Sequence, residues 1–561
     1  MTKPPPLRTE EIARIRKRFT AAGAADRTDD LWMSMIDRPI GSPRALKDYH
    51  DLLLFLLAFP RSKADHARAT HDLDRVAEIA AVMYEQSDSC QRSLENSGIA
   101  GTTICAHFSK LLLQWLVLSQ DAAVTLDSFE GEEDVVRAML QDLSLPAERE
   151  AMDDPGYGVM DRIRTASGNR SLPWLLDALD GSGASNTLYH TIWTAIRPYV
   201  TIPCERSAVS RTYCRGVKHP LHSWSKGIRP DVPTERILQQ PIGEPRTLDS
   251  DERDRLVAAV RGILVGHLRE TDTATFCDPK AIEYFDLGSG VGIALLTLPP
   301  GRRTLFDSYI GYVAFSNAVP VAYGGAWIFP GKSKVGINVF PAFRGGPSSF
   351  LFAQILRCYV QRFGVECFEA DSYQLGHGNP DGIRSGVFWF YHRLGFRTTD
   401  ADLEMMQDRE EELRQRDAKH RTGPAILRKL ASLPMRLKLT LGPIIDLEPI
   451  DLSEAVLQHL GGIGDGDRGV AERRCLNKVK KELGVGKMSG WTTEERCAFT
   501  DLAPSLAFIP DLHKWSRRDK ARIISALRSK GHTKEDRYIN ALRSHPEMLQ
   551  AWTGFVKRSV T

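Results

Sequence analysis

The chain has 561 residues, 42% hydrophobic and 26% charged, with a formal net charge of +3. That is an ordinary globular composition with room for roughly two to four domains. The longest apolar runs, residues 52–59 and 111–118, are far short of the roughly 20 residues of a membrane span. The N-terminus "MTKPPPLRTEE" lacks the apolar stretch of a signal peptide, so the expectation is a cytoplasmic protein with no membrane partner. Nine scattered cysteines without a Cys-x-x-Cys pair fit buried free thiols in a reducing compartment.

In chain order, residues 1–245 are expected to form a mainly helical domain of unknown role. "PRALKDYHDLLLFLLAF", "DLDRVAEIAAVMYEQ" and "CAHFSKLLLQWLVLS" have helical periodicity, and "DDPGYG" and "LDGSGASN" mark turns. Cys204, Cys214, His219 and His222 supply zinc-binding atom types, but their spacing matches no common structural site, and a loop with unrelated side chains is the simpler expectation.

The texture changes between about residues 282 and 400. "SYIGYVAFSN", "VPVAYGGAWIF" and "SKVGINVF" predict three neighbouring strands. "SSFLFAQILRCYVQRFG" follows as a helix with Phe352, Ile355, Leu356, Tyr359 and Phe363 on one face. A strand, "VECFEADSY", a loop and a second helix, "SGVFWFYHRLGF", come next. The Gly324-Gly325 pair inside a strand pattern predicts a bulge or a close approach by another group. Upstream, "FDLGSGVG" matches the glycine motif with which class I methyltransferases hold S-adenosylmethionine. Only "IALLTL" separates it from Pro299-Pro300, too little for the helix that motif requires. Beyond residue 400 the chain is expected to be helical and basic. Residues 471–561 hold 19 basic and 10 acidic side chains, which is +9 and leaves −6 for the rest. Such a region suits nucleic acid, and it suits solubility equally well.

"VFPAFRGG" and, some fifty residues on, "FYHRLGF" carry a resemblance. Residues of about 270–400 resemble the core of the GCN5-related N-acetyltransferase superfamily, whose signature strand runs into a phosphate loop and a helix. The resemblance implies an α/β fold with a mixed sheet in the middle of the chain, flanked by mainly α-helical N- and C-terminal regions, with boundaries near residues 245 and 400. It implies an acyltransferase moving an acyl group from acetyl-coenzyme A or another acyl-coenzyme A to an amine, or a hydroxyl, of a small molecule or protein. The backbone of Asn338, Val339 and Phe340 would pair with the pantetheine arm. Arg344, Gly345, Gly346, Ser348 and Ser349 would meet the pyrophosphate at a helix N-terminus, where unsatisfied N–H groups favour an anion. Asn379 and Ser385 would bond cofactor amides. The loop departs from the family pattern at Pro347 and Ser349. Alternatives are a non-catalytic protein of the same fold, a transferase using aminoacyl-tRNA, and the methyltransferase.

Tyr391 matches the family tyrosine that protonates the leaving thiolate; without that role it is an aromatic core residue. Strand alternation puts Glu369 and Asp371 on one face as candidate bases, with pairing to an arginine as the structural alternative. Glu270 is a further candidate from the preceding helix. His377 and His392 are expected at the surface. Trp327 walls an acceptor pocket or sits in the core.

Overall fold

The structure is a computed structural model that describes residues 4–20, 28–119, 123–168, 170–183, 185–225, 233–417, 419–442, 444–464 and 466–560. Within these residues the chain is mixed α/β, with 26 α-helices and two sheets. Buried apolar side chains gather into three clusters, and these show how the chain is divided.

The first cluster joins the N-terminal hundred residues to the large sheet. Its helix Pro43–Ala58 starts where Ser42 accepts a hydrogen bond from the Ala45 N–H, with proline at the first helical position. Eleven of its sixteen residues are buried, so it is a core helix rather than a surface one. The second cluster surrounds a small antiparallel sheet of β1 (Thr103–His107), β2 (Thr125–Phe129) and β3 (Pro198–Pro203), with β3 in the centre. These strands fall in the region expected to be mainly helical. Part of "CAHFSKLLLQWLVLS" belongs to β1, because its first residues pair with β3.

The large sheet has eight strands: β4 (Glu283–Asp286), β5 (Val291–Thr297), β6 (Ser308–Ser316), β7 (Val319–Phe329), β8 (Lys332–Val339), β9 (Cys367–Ala370), β10 (Arg397–Thr398) and β11 (Met435–Lys438). Their spatial order is β10-β11-β9-β8-β7-β6-β5-β4. From β4 to β8 it is an antiparallel meander. The tight turn between β6 and β7 places Asn317 and Ala318 at positive φ, 47° and 65°, the pattern of a twist-matched hairpin. β8 and β9 are parallel and are joined through the helix Ser348–Phe363, as parallel strands require a crossover. That helix lies on the sheet, where the buried Tyr359 hydroxyl donates to the Ile310 carbonyl at 2.7 Å. β11 follows residue 400, so the sheet extends beyond the boundary read from sequence.

The third cluster is a helical bundle of residues 449–560, packed on Phe329 of β7 and on Phe306 in the segment leading into β6. The basic stretch of the sequence therefore lies on folded helices. Among the described residues no helix is long and apolar enough to cross a membrane.

Candidate active site

β8 and β9 pair only over Lys332–Lys334 and Cys367–Glu369. Residues 335–339 continue to pair with β7 but not with β9, because β9 ends at Ala370 while β8 runs on past it. One edge of β8 is thereby left open beside the predicted cofactor loop. Asn338 is exposed and Val339 half-buried, whereas Phe340 is buried with its ring stacked on His267 at 4.3 Å and on Tyr323 at 5.2 Å. Backbone at these positions borders the opening, but the Phe340 side chain belongs to the core.

After a short turn the loop runs Arg344, Gly345, Gly346, Pro347 and into the helix at Ser348. Arg344, Gly345 and Gly346 are exposed. Gly345 has φ +109° and nothing lies within 4 Å of where a Cβ would stand, so glycine is required there by backbone conformation. Pro347 precedes the helix without a side-chain cap. The Ser348 N–H bonds to the Gly345 carbonyl and that of Leu351 to the Pro347 carbonyl. The N–H groups of Ser349 and Phe350 are the remaining first-turn donors. Arg344 Nε donates to the Val339 carbonyl at 3.1 Å, folding its guanidinium back along the strand. Arg16, from the N-terminal helix Thr9–Thr20, donates to the carbonyls of Ala342 at 2.7 Å and Arg344 at 3.1 Å. This brace from more than 300 positions away was not legible in the sequence.

Beside the open edge of β8 sit two tyrosines and a glutamine. Tyr391, 1% exposed, packs edge-on against Phe352 and Phe396 and donates to Gln374 Oε1 at 3.4 Å. Burial, and then the charge of Asp371, hold its pKa above that of a free tyrosine. The opposite end of Gln374 lies against Gly336, where a Cβ would come within 2.9 Å of Nε2. Gln374 thus spans from β8 to Tyr391. Tyr312 of β6 donates to the Gly336 carbonyl at 2.9 Å. Its ring and hydroxyl lie against Gly324, which also approaches the Gly336 carbonyl, while Tyr309 covers Gly325. The two glycines of β7 therefore make room for tyrosines within a regular ladder; the β6–β7 irregularity falls instead at Ala314/Phe315. Neither Gln374 nor Tyr312 carries a motif that singles it out in the sequence.

Several expected roles change. Glu369 stands directly opposite Arg436 of β11 and accepts from its Nε at 2.8 Å, so pairing to an arginine describes it and the base role does not. β11 was invisible in the strand pattern, and with it this partner. Asp371 lies past the end of β9. It caps the helix Ser372–Leu375 by accepting from the Gln374 N–H at 2.8 Å, and it stays exposed. Glu270 accepts from Ser109 and Thr275, tying the small-sheet unit to the large one. Asn379 caps the helix Pro380–Ser385, and Ser385 bonds back to the Gly382 carbonyl; both side chains serve their own helix rather than a ligand. His377 is exposed as expected, but His392 is buried, 5% exposed, and burial pushes its pKa down to about 4.

The four zinc-type side chains do not converge. Cys214 donates to the Ala259 carbonyl, His219 bonds Tyr284 and Asp286, and His222 packs edge-on against Trp224. Burial pushes the Cys204 and Cys214 thiols up to about 12. The glycine-rich stretch after Asp286 is the turn of the β4–β5 hairpin, with Gly288, Ser289 and Gly290 at positive φ. It opens no helix, so the glycine motif lacks the strand–turn–helix setting that the methyltransferase reading requires.

Trp327 is 43% exposed and stacks on Tyr309 at 4.4 Å. It lines a cavity of about 370 Å³ that also reaches Asp371; it is a pocket wall rather than a core residue. In comparison with known proteins, the chain matches no family model, no curated protein and no solved structure.

Proposed function

We propose that the large-sheet unit is an acyltransferase that takes an acyl group from acyl-coenzyme A and passes it to an amine. The observation that carries this reading is the run of β8 beyond the end of β9, with the buried Tyr391 at the open edge and an uncapped helix N-terminus at its end. The strand order, with one parallel pair between an antiparallel meander and a short antiparallel pair, supports the same family likeness as the two sequence motifs. The free edge of residues 335–339 offers backbone groups to an extended pantetheine arm, in the manner of an added strand. The donors of Ser349 and Phe350, with Arg344, offer hydrogen bonds and positive charge to its pyrophosphate. Tyr391 stays protonated at neutral pH and gives its proton to the departing thiolate. Gln374 fills the gap between these groups and must turn aside when a donor enters.

The test is direct titration of the full chain with acetyl-coenzyme A and, separately, with S-adenosylmethionine. Binding is expected for the first alone. Arg344→Glu, which sets a negative charge beside the pyrophosphate, should abolish it, while circular dichroism and the melting temperature stay those of the parent. Binding of S-adenosylmethionine alone, or of neither compound, would overturn the proposal.

A further inference from the structure

The cavity beside Trp327 has a composition that points to what fills it. Its wall includes two exposed large apolar side chains, Trp327 of β7, 43% exposed, and Ile450 of the bundle helix Pro449–Gly461, 61% exposed. Tyr309 backs the Trp327 ring at 4.4 Å, so the indole is held in place by stacking. Phe329 adds a third apolar surface. The two lysines of the wall share one carboxylate, since Lys332 and Lys334 both pair with Glu448. Of the wall's other carboxylates, Asp307 acts on Lys334 and Lys530, whereas Asp371 caps its own helix and forms no ion pair among the described residues. Three carboxylates against two lysines leave the wall with one net negative charge. Asp371 also acts by its charge on the proposed acid. It caps the turn that carries Gln374, whose amide oxygen accepts from Tyr391.

We propose that this cavity is the acceptor site, and that the acceptor is a primary amine on an apolar aryl or alkyl body. The body lies against Trp327, Phe329 and Ile450, and the ammonium end is received by Asp371. An indole face adds attraction for a cation to the apolar contact. A polyanion or an amine without an apolar body leaves one half of the wall unmatched. The proposal rests on the acyltransferase reading and gives that reaction its second substrate. In the step, the ammonium held by Asp371 loses one proton to water, and the neutral nitrogen attacks the thioester carbonyl. As the C–N bond forms the nitrogen loses a second proton to water. The C–S bond breaks, and the thiolate takes the phenolic proton of Tyr391, which is then restored from solvent. The products are an amide and a free thiol, with one proton released overall.

The experiment is calorimetric titration of the full chain, without donor, with three probes: 2-phenylethylamine, 3-phenylpropionate and ethanolamine. The first has both the body and the amine, the second has the body with the opposite charge, and the third has the amine alone. 2-Phenylethylamine should bind at least about tenfold more tightly than either of the others. Trp327→Ala should weaken it by about tenfold or more, and Trp327→Phe should restore most of the loss. Asp371→Asn keeps the helix cap, because asparagine caps as well as aspartate, yet it should weaken the amine and leave 3-phenylpropionate unweakened. Arg344→Glu should leave amine binding unchanged. Equal binding of 3-phenylpropionate, indifference to Trp327→Ala, or no binding of 2-phenylethylamine each overturns the proposal. Amine binding that survives in a chain that takes no acetyl-coenzyme A would overturn the donor reading and leave the cavity's assignment to an apolar amine standing. Donor binding without amine binding would do the reverse.

Discussion

Tyr391 and His392 are adjacent on one helix and differ in how burial acts on them. Burial disfavours the charged form of each, which raises a phenol and lowers an imidazole. For Tyr391 this is useful, since an acid must hold its proton until the thiolate develops. Tyr391→Phe should lower kcat by about 10²-fold while the affinity for acetyl-coenzyme A stays within about twofold; unchanged turnover would remove the residue from the chemistry. Because its pKa lies above that of a free tyrosine, no fall in rate between pH 7 and about 10 should trace to its ionisation. For His392 the consequence is stability. Its folded pKa of about 4 lies below the roughly 6.5 of an unfolded histidine, so below pH 6.5 the unfolded chain binds more protons. The contribution is fully present above pH 6.5 and is lost as pH falls from there toward 4, up to about 3 kcal/mol. Thermal melts across that window should show the slope, and His392→Phe should flatten it. An unaltered slope in the variant would mean that other groups carry the acid sensitivity.

At the scale of elements, the strands β6, β7 and β8 and the helix Ser348–Phe363 were legible because their patterns are long and their breaks are marked by turn residues. Short elements were not. β11 has four residues, "MRLK", whose alternation of apolar and basic side chains is too brief to separate from a helix. Missing it hid the partner of Glu369, and so a paired carboxylate looked like a base. The loop and Tyr391 were legible as motifs, whereas Gln374, Tyr312 and Arg16 reach the site through tertiary packing that no local pattern records. The glycine run after Asp286 shows the opposite error that a motif invites. Its glycines serve a hairpin, with Gly290 at φ +72° and the Asn317 side chain 2.7 Å from where a Cβ would stand. Gly290→Ala should therefore destabilise the protein by about 1–2 kcal/mol through the left-handed backbone alone, seen as a lower melting temperature. Acetyl-coenzyme A binding by the folded fraction should be unaffected. Retained stability would show that the turn relaxes to accept the side chain.

In the whole molecule, the C-terminal bundle meets the sheet through a buried group of charges. Lys530, 4% exposed, donates to the Asp307 carbonyl at 2.6 Å and to Glu535 at 3.0 Å. Arg303 approaches the other Glu535 oxygen at 3.2 Å and donates to the carbonyls of Lys530, His532 and Thr533. Burial depresses the pKa of Lys530 and Glu535 opposes that depression, so the single carboxylate stands against two cations. The same segment supplies Asp307 to the cavity beside Trp327 and Phe306 to the bundle core, which links bundle docking to the shape of that cavity. Removing the carboxylate alone leaves both cations buried without a counter-charge, a change that costs about 3–5 kcal/mol in comparable buried pairs. Glu535→Ala should lower the melting temperature and open the chain to limited proteolysis near residues 530–535. Glu412→Ala, which removes an exposed i,i+4 pair with Arg416, should cost less than about 1 kcal/mol and serves as the control. If Glu535→Ala resists protease as the parent does and melts with it, the charges do not hold the bundle in place, and apolar contact through Phe306 and Phe329 suffices.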